Sequence, residues 1–223
     1  MEFFLNLLRS VAYGIIEGVT EWLPISSTGH MILAEQVLKF SFSAEFMEMF
    51  RVVIQLGAIL AVVVLYFKKL WPFCADNGRD SGFSRHFRWP VVRLWCKIIV
   101  ACVPAAVLGL LLDDWLDAHL YNSITVALML IIYGIAFILI ERRPRVPTTT
   151  KLSRITYKQA LIVGAWQVLA LIPGTSRSGS TIIGGLLCGM SRPAASQFTF
   201  FLAIPVMAGA SGLKLVKFLA KGG

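Results

Sequence analysis

Residues 123–140, Ser-Ile-Thr-Val-Ala-Leu-Met-Leu-Ile-Ile-Tyr-Gly-Ile-Ala-Phe-Ile-Leu-Ile, contain no charged side chain. A helix of about 20 such residues crosses the hydrocarbon core of a bilayer, about 30 Å thick. Lipid offers backbone groups no partners, so only helices and closed barrels can span it. Barrel strands alternate apolar and polar residues, and that alternation is missing here. Composition agrees: 57% of the chain is hydrophobic and 15% charged, where soluble domains carry about 25% charged residues. The chain is therefore expected to be an all-α integral membrane protein, a polytopic helical bundle in contact with membrane lipids.

Three further segments read as full spans: Phe50 to Phe67, Val91 to Leu112 with Pro104 inside it, and Ala195 to Phe218 with Pro205 inside it. Gln55, within the first of these, is expected to hydrogen-bond a neighbouring helix. The net charge of +9 is distributed between the apolar segments. Lys68, Lys69, Arg79, Arg85 and Arg88 load one loop; Arg142, Arg143, Arg145, Lys151, Arg154 and Lys158 load another, whose Pro-Arg-Val-Pro-Thr-Thr-Thr piece reads as a linker. Asp113, Asp114 and Asp117 make the short loop between them acidic. By the positive-inside rule the basic loops are cytoplasmic and the acidic one lies outside. Lys214, Lys217 and Lys221 fall on the outside in this scheme, against the rule. No basic face or nucleic-acid module is present, which argues against a nucleic-acid partner. Cys74, Cys96, Cys102 and Cys188 lack metal-ligand spacing and read as packing residues. Glu2 and the lack of a small-residue cleavage site argue against a removable signal peptide.

Two other apolar stretches are too short or too interrupted to span. Glu2 to Trp22 carries Arg9, Glu17 and Glu21, and after Leu23-Pro24-Ile25 a second short run extends from Ser26 to Phe40. Tyr157 to Ile172 is likewise broken by Pro173-Gly174 and followed by Ser178 to Met190. Proline stops each first run, because it lacks an N–H and restricts the residue before it. Each pair reads as a re-entrant helical hairpin. The first opens to the outside and, three spans later, the second opens to the cytoplasm. Two such units are inverted-topology repeats meeting near the midplane. Gly14-Ile-Ile-Glu17 lines up with Gly164-Ala-Trp-Gln167, and Pro24-Ile-Ser-Ser27 with Pro173-Gly-Thr-Ser176. Repeat one covers 1–140 and repeat two 155–223, within one transmembrane domain; the second is expected to lack its last two helices.

The polar residues gather at these breaks. Glu17 and Glu21 are four apart and share a helix face. Ser26, Ser27 and Thr28 follow at the start of a helix, where free N–H groups and hydroxyls favour an anion. The second break, Pro173-Gly-Thr-Ser-Arg-Ser-Gly-Ser-Thr181, supplies Gly174, where backbone can approach a ligand, and the hydroxyls of Thr175, Ser176, Ser178 and Thr181. It also supplies the planar fork of Arg177. Glu17, Glu21 and Arg177 cost roughly 2.5–3.5 kcal/mol apiece to insert, which favours function over a charge-paired clamp. Ser26, Thr28, Ser176, Ser178 and Thr181 serve equally as helix caps. Ser27, beside Glu21 and His30, is a candidate nucleophile. His30 alternatively bonds a carbonyl at the helix start, and Gln167 reads as structural. Trp22 and Trp166 read as packing or interface residues.

Glu17-Gly-Val-Thr-Glu21-Trp-Leu-Pro-Ile-Ser-Ser-Thr-Gly-His30 and Pro173-Gly-Thr-Ser-Arg-Ser-Gly-Ser-Thr181 resemble the two signature motifs of the bacterial undecaprenyl-diphosphatases, the bacitracin-resistance phosphatases. Val-Val-Ile-Gln55-Leu-Gly and Ser191-Arg-Pro-Ala-Ala-Ser-Gln-Phe are also similar to that family, and the likeness runs nearly end to end. Members of the family usually continue through further C-terminal helices. The resemblance implies a multi-pass protein of the bacterial inner membrane. It also implies hydrolysis of a polyprenyl diphosphate lipid to the monophosphate carrier for cell-wall synthesis, with Glu17, Glu21, Ser27, His30 and Arg177 as catalytic residues.

On that reading Ser27 attacks the terminal phosphorus and His30 or Glu21 takes its proton. Arg177 and the N–H groups of both tips hold the phosphoryl oxygens. A variant without a covalent step has Glu17 and Glu21 bind Mg²⁺ or Ca²⁺ and water attack directly. The site is expected to face the outer side. A different class, a transporter or flippase of a polyprenyl phosphate, fits the same inverted repeats, with Glu17, Glu21 and His30 as a proton relay. A homodimer is left open.

Overall fold

A computed structural model of the chain describes residues 2–74, 86–120, 122–142 and 146–220, apart from the side chains of Ala44, Asp113, Asp114 and Asp117. Arg79, Arg85, Arg143, Arg145 and Lys221, which carry part of the orientation argument, lie outside the described residues, as do the three aspartate side chains.

The helices in chain order are α1 (Glu2–Thr20), α2 (Ser27–Leu38), α3 (Ala44–Val53), α4 (Gln55–Leu65), α5 (Phe67–Leu70), α6 (Trp89–Leu120), α7 (Ser123–Glu141), α8 (Tyr157–Gln167), α9 (Arg177–Leu187) and α10 (Arg192–Ala220). Short 3₁₀ turns occupy Leu152–Arg154 and Val168–Leu171. No strand forms among the described residues; two isolated bridges, Phe73 with Phe87 and Thr149 with Met190, are the extent of β pairing there.

Four stretches are long and apolar enough to cross a membrane: Glu45–Leu65, Trp89–Leu112, Ser123–Glu141 and Arg192–Ala220. They fall where the sequence places full spans. The first begins earlier than Phe50, because Ser43 caps α3 by accepting from the Phe46 N–H and Glu45 occupies its first turn. At Ile54 the helix tightens, with Gly57 N–H reaching the Ile54 carbonyl at 3.0 Å, and continues as α4.

Two expectations need correction. The acidic segment Asp113–Asp117 is not a loop: α6 runs on to Leu120. No glycine or proline interrupts the sequence between Gly109 and Leu120, so nothing stops the helix. The 32-residue helix is about 48 Å long, so it outreaches a hydrocarbon core of about 30 Å. The linker around Pro147 is also tied down at its threonine end. Thr148 and Thr149 N–H both reach the Gly189 carbonyl, at 2.9 and 3.0 Å, and Ser191 N–H reaches the Thr149 carbonyl at 2.9 Å.

Packing follows the apolar faces. α8 lies between α6 and α9, while α10 touches α3, α4, α6 and α9. Ile98 and Ala101 of α6, Ala160 of α8 and Phe198, Phe201 and Leu202 of α10 are fully buried at the centre. α6 and α8 meet backbone to backbone, since a Cβ on Gly164 would stand 2.3 Å from the Ala101 carbonyl oxygen. Small residues allow this close approach, which yields dispersion energy where lipid supplies no hydrophobic drive between helices. α7 turns apolar residues outward instead: Ile124, Ile131, Ile135 and Leu139 are all more than half exposed. That inside-out pattern suits a lipid surround.

A second cluster joins the N-terminal helices. Tyr13 of α1 stacks on Phe50 of α3 and meets Phe40 edge-on. Its hydroxyl donates to Glu35 Oε1 at 2.5 Å, and Arg51 Nη1 donates to both Glu35 oxygens at 3.0 and 2.9 Å. One carboxylate on α2 thus ties α1 to α3.

Candidate active site

α1 ends at Thr20 because Pro24 removes a donor four residues later. The chain turns through Leu23 N–H to the Thr20 carbonyl and Ile25 N–H to the Leu23 carbonyl. Ser26 then takes a left-handed φ of 63° and accepts from the Gly29 N–H, opening α2. The second break repeats the device. Gly174 has φ of 86°, and a Cβ there would stand 2.6 Å from the Val126 Cα. Ser176 accepts from the Gly179 N–H and opens α9. Each break therefore delivers a capped helix start, where N–H groups and the helix dipole favour an anion.

Both starts line one cavity of about 630 Å³, through Ser26, Ser27 and Thr28 on one side and Thr175, Ser176, Arg177 and Ser178 on the other. Glu21 lines it too and links the two sides. Its Oε1 meets Arg177 Nη2 at 2.6 Å, and its Oε2 accepts from the Ser27 hydroxyl at 2.6 Å. Ser178 adds a bond across the tips, donating to the Leu23 carbonyl at 3.3 Å, and its hydroxyl lies 3.1 Å from that of Ser176. The Glu21 and Arg177 side chains are 7% and 13% exposed, so water screens the pair poorly.

Other candidates stand back from the wall. Glu17 is 1% exposed and its carboxylate oxygens have no hydrogen-bond partner among the described residues. His30 Nδ1 donates to the Ser26 carbonyl at 2.9 Å. Thr181 spends its hydroxyl on the Arg177 carbonyl at 2.9 Å, and accepts from Thr199. Gly174 packs on Val126. Glu17, His30, Gly174 and Thr181 are not on the cavity wall.

The wall also holds polar residues that sequence patterns alone did not place in the site. Thr20, Gln55 and Gln167 all line the cavity. Gln55 opens α4 just after the tightened step at Ile54, and a polar residue inside an apolar span was its one signal. For Gln167 the signal was its alignment with Glu17. The rest of the wall is apolar or small, including Ala105, Ala106, Gly109 and Leu110 of α6 and Val206, Ala210 and Leu213 of α10.

The sequence matches the family described as Bacitracin resistance protein BacA over residues 10–222. The chain belongs to the BacA family. Among curated proteins it is similar to the undecaprenyl-diphosphatase of Enterococcus faecalis strain V583, with 61% identity over 98% of this chain and 78% of that protein. It is similar to the undecaprenyl-diphosphatase of Streptococcus gordonii, with 56% identity over 99% of this chain and 77% of that protein. It also resembles that of Lactococcus lactis subsp. cremoris, with 54% identity over 98% and 78%.

In this BacA-family chain the cavity joins two chemistries. One end presents a serine hydroxyl already bonded to a carboxylate, a guanidinium, and two helix starts. The other is a greasy wall. The four cysteines form no disulfide. No group of three or more His, Cys, Asp or Glu gathers among the described residues.

Proposed function

We propose that the chain is an undecaprenyl-diphosphatase of the bacterial inner membrane, hydrolysing undecaprenyl diphosphate to undecaprenyl phosphate and inorganic phosphate at this cavity. One observation carries the reading: a single carboxylate, Glu21, holds the Ser27 hydroxyl and the Arg177 guanidinium in one pocket. The relatives' name points to the same substrate.

In the proposed reaction Glu21 takes the Ser27 proton as the Ser27 oxygen attacks the terminal phosphorus. The bond from phosphorus to the bridging oxygen breaks, and the lipid monophosphate leaves with its electron pair. Arg177 and the N–H groups at the starts of α2 and α9 hold the equatorial oxygens as charge spreads over them. Glu21 passes that proton to the departing lipid phosphate. Water then attacks the phosphoserine as Glu21 takes its proton, the bond from phosphorus to the Ser27 oxygen breaks, Glu21 returns the proton to Ser27, and inorganic phosphate departs. His30 is proposed to act by fixing the Ser26 carbonyl, and so the turn that aims Ser27. The oxygen donors of Glu17 and Glu21 suit a hard cation, and Glu17's are unpartnered. In the alternative route without a phosphoserine, these two residues would hold Mg²⁺ or Ca²⁺, with Glu21 released from Ser27 and Arg177, and the ion would supply positive charge to phosphate oxygens.

The arrangement is further proposed as two re-entrant hairpins, α1–α2 and α8–α9, in inverted repeats covering 1–140 and 155–223, with the site open to the outer side. The matching proline breaks, serine caps and tip-to-tip bonds support that reading.

Purified protein in liposomes containing undecaprenyl diphosphate tests the proposal. Release of inorganic phosphate, lost in Ser27→Ala, Glu21→Gln and Arg177→Ala, is expected. Movement of the lipid across the bilayer without phosphate release would replace the enzyme with a carrier.

A further inference from the structure

Gln167 ends α8 with its side chain on the cavity wall. It is 2% exposed, and neither its Oε1 nor its Nε2 has a hydrogen-bond partner among the described residues. Thr175 is in the same condition, 7% exposed and on the wall with an unpartnered hydroxyl. Buried polar groups are nearly always bonded, and leaving them bare destabilises a fold. Neither side chain does anything in the serine chemistry proposed above. Gln167, at the end of α8, precedes the Pro173–Gly174 break and Thr175 follows it, so the two lie on either side of the turn that leads to Arg177.

We infer that the Gln167 amide and the Thr175 hydroxyl form a neutral donor subsite for the phosphate that stays on the lipid. The inference rests on the proposed diphosphatase reading. A diphosphate brings two anionic groups into the cavity, and the cationic guanidinium belongs to the one being transferred. The second group needs donors that hold it without competing charge, because it must leave with the product lipid. An amide N–H₂ and a hydroxyl meet that need. Charge logic also separates Gln167 from its counterpart in the first break. Glu17 keeps its carboxylate off the wall, whereas the side chain on the wall is the uncharged amide. A carboxylate there would repel the ligand.

The subsite makes a two-signed prediction. Gln167→Met keeps the length of the side chain and removes its donors. Losing a hydrogen bond to a charged group should weaken binding about tenfold or more. The same change relieves two unpartnered polar atoms, so the melting temperature should rise by about 2–4 °C. Gln167→Glu should weaken binding further than Gln167→Met, and Thr175→Val should weaken it in the same direction. Two readouts apply to each purified variant: KM and kcat for phosphate release from farnesyl diphosphate, and calorimetric affinity for its non-hydrolysable methylene diphosphonate analogue. The expected pattern is a raised KM, a kcat within about threefold of the unaltered protein, and matching losses of affinity. KM and affinity within twofold of the unaltered protein in both Gln167→Met and Thr175→Val would overturn the subsite. So would Gln167→Glu binding as well as Gln167→Met, or a fall in the melting temperature of Gln167→Met, which would mark a structural partner. Affinity for the analogue needs no turnover. A failure of the unaltered protein to release phosphate would therefore sink the activity reading and still leave the binding order readable.

Discussion

Glu21 and Arg177, 156 positions apart in the chain, meet at 2.6 Å across the gap between two broken helices. The remaining oxygen of the same carboxylate accepts from Ser27 at 2.6 Å. A carboxylate shared in this way holds the guanidinium and is placed to act, as proposed, as base for the hydroxyl. Removing either partner disturbs both contacts.

Arg177→Ala should lower kcat for phosphate release by about 10³-fold or more, the scale of an arginine that stabilises a phosphoryl-transfer transition state. Arg177→Lys keeps the charge but loses the planar fork, and should recover only part of that loss. Glu21→Gln should fall as far as Arg177→Ala, and His30→Ala less far, because Ser27 bonds Glu21 while His30 bonds the Ser26 carbonyl. Steady-state assays of the four variants check the order. His30→Ala falling further than Glu21→Gln would move the base to the imidazole.

Gly164→Ala should unfold the protein or lower its melting temperature sharply, since the new Cβ would stand 2.3 Å from the Ala101 carbonyl oxygen. Gly18→Ala is the control. Nothing lies within 4 Å of a Cβ there, and alanine favours a helix over glycine by about 1 kcal/mol. Thermal unfolding in detergent should separate the two by sign.

Much of the fold is readable from residue order because membrane physics leaves few choices. The run from Ser123 to Ile140 has no alternative to a span, and α7 covers it. Pro24 and Pro173-Gly174 announce the breaks, and Ser26 and Ser176 cap α2 and α9, as expected of serines at those positions. The structure brings Glu21, Ser27 and Arg177 together as the paired motifs suggest. The features hidden from sequence depend on packing. Three aspartates read as a loop although no glycine or proline stops α6 before Leu120, and nothing in a linear pattern says that Thr149 docks beside Gly189. Gln167 and Gln55 look like ordinary interhelical partners, and their exposure to a cavity comes from how α8 and α4 sit against α6 and α10.

Glu35→Ala should lower the melting temperature while leaving KM nearly unchanged. Its carboxylate holds Tyr13 and Arg51 between three helices, and its loss strands a guanidinium that is 18% exposed. Removing one partner of a fully buried pair costs about 3–5 kcal/mol, so this half-buried pair should cost less. Tyr13→Phe, which removes one hydroxyl, should cost about 1 kcal/mol. Unfolding curves and phosphate-release kinetics on the same preparations test the separation. A KM that rises with the loss of stability would tie this cluster to the site.

Ser27→Cys, made in a Cys102→Ala background because Cys102 also lines the cavity, should react with a membrane-impermeant thiol reagent added from outside. Reaction only from the cytoplasmic side would reverse the proposed orientation.

The most direct measurement is a rapid quench of purified protein mixed with a polyprenyl diphosphate labelled in its terminal phosphate. The expected result is acid-stable label on the peptide containing Ser27, formed before free phosphate accumulates and missing from Ser27→Ala. Full turnover with no labelled protein at any time would contradict it and give the attack to water.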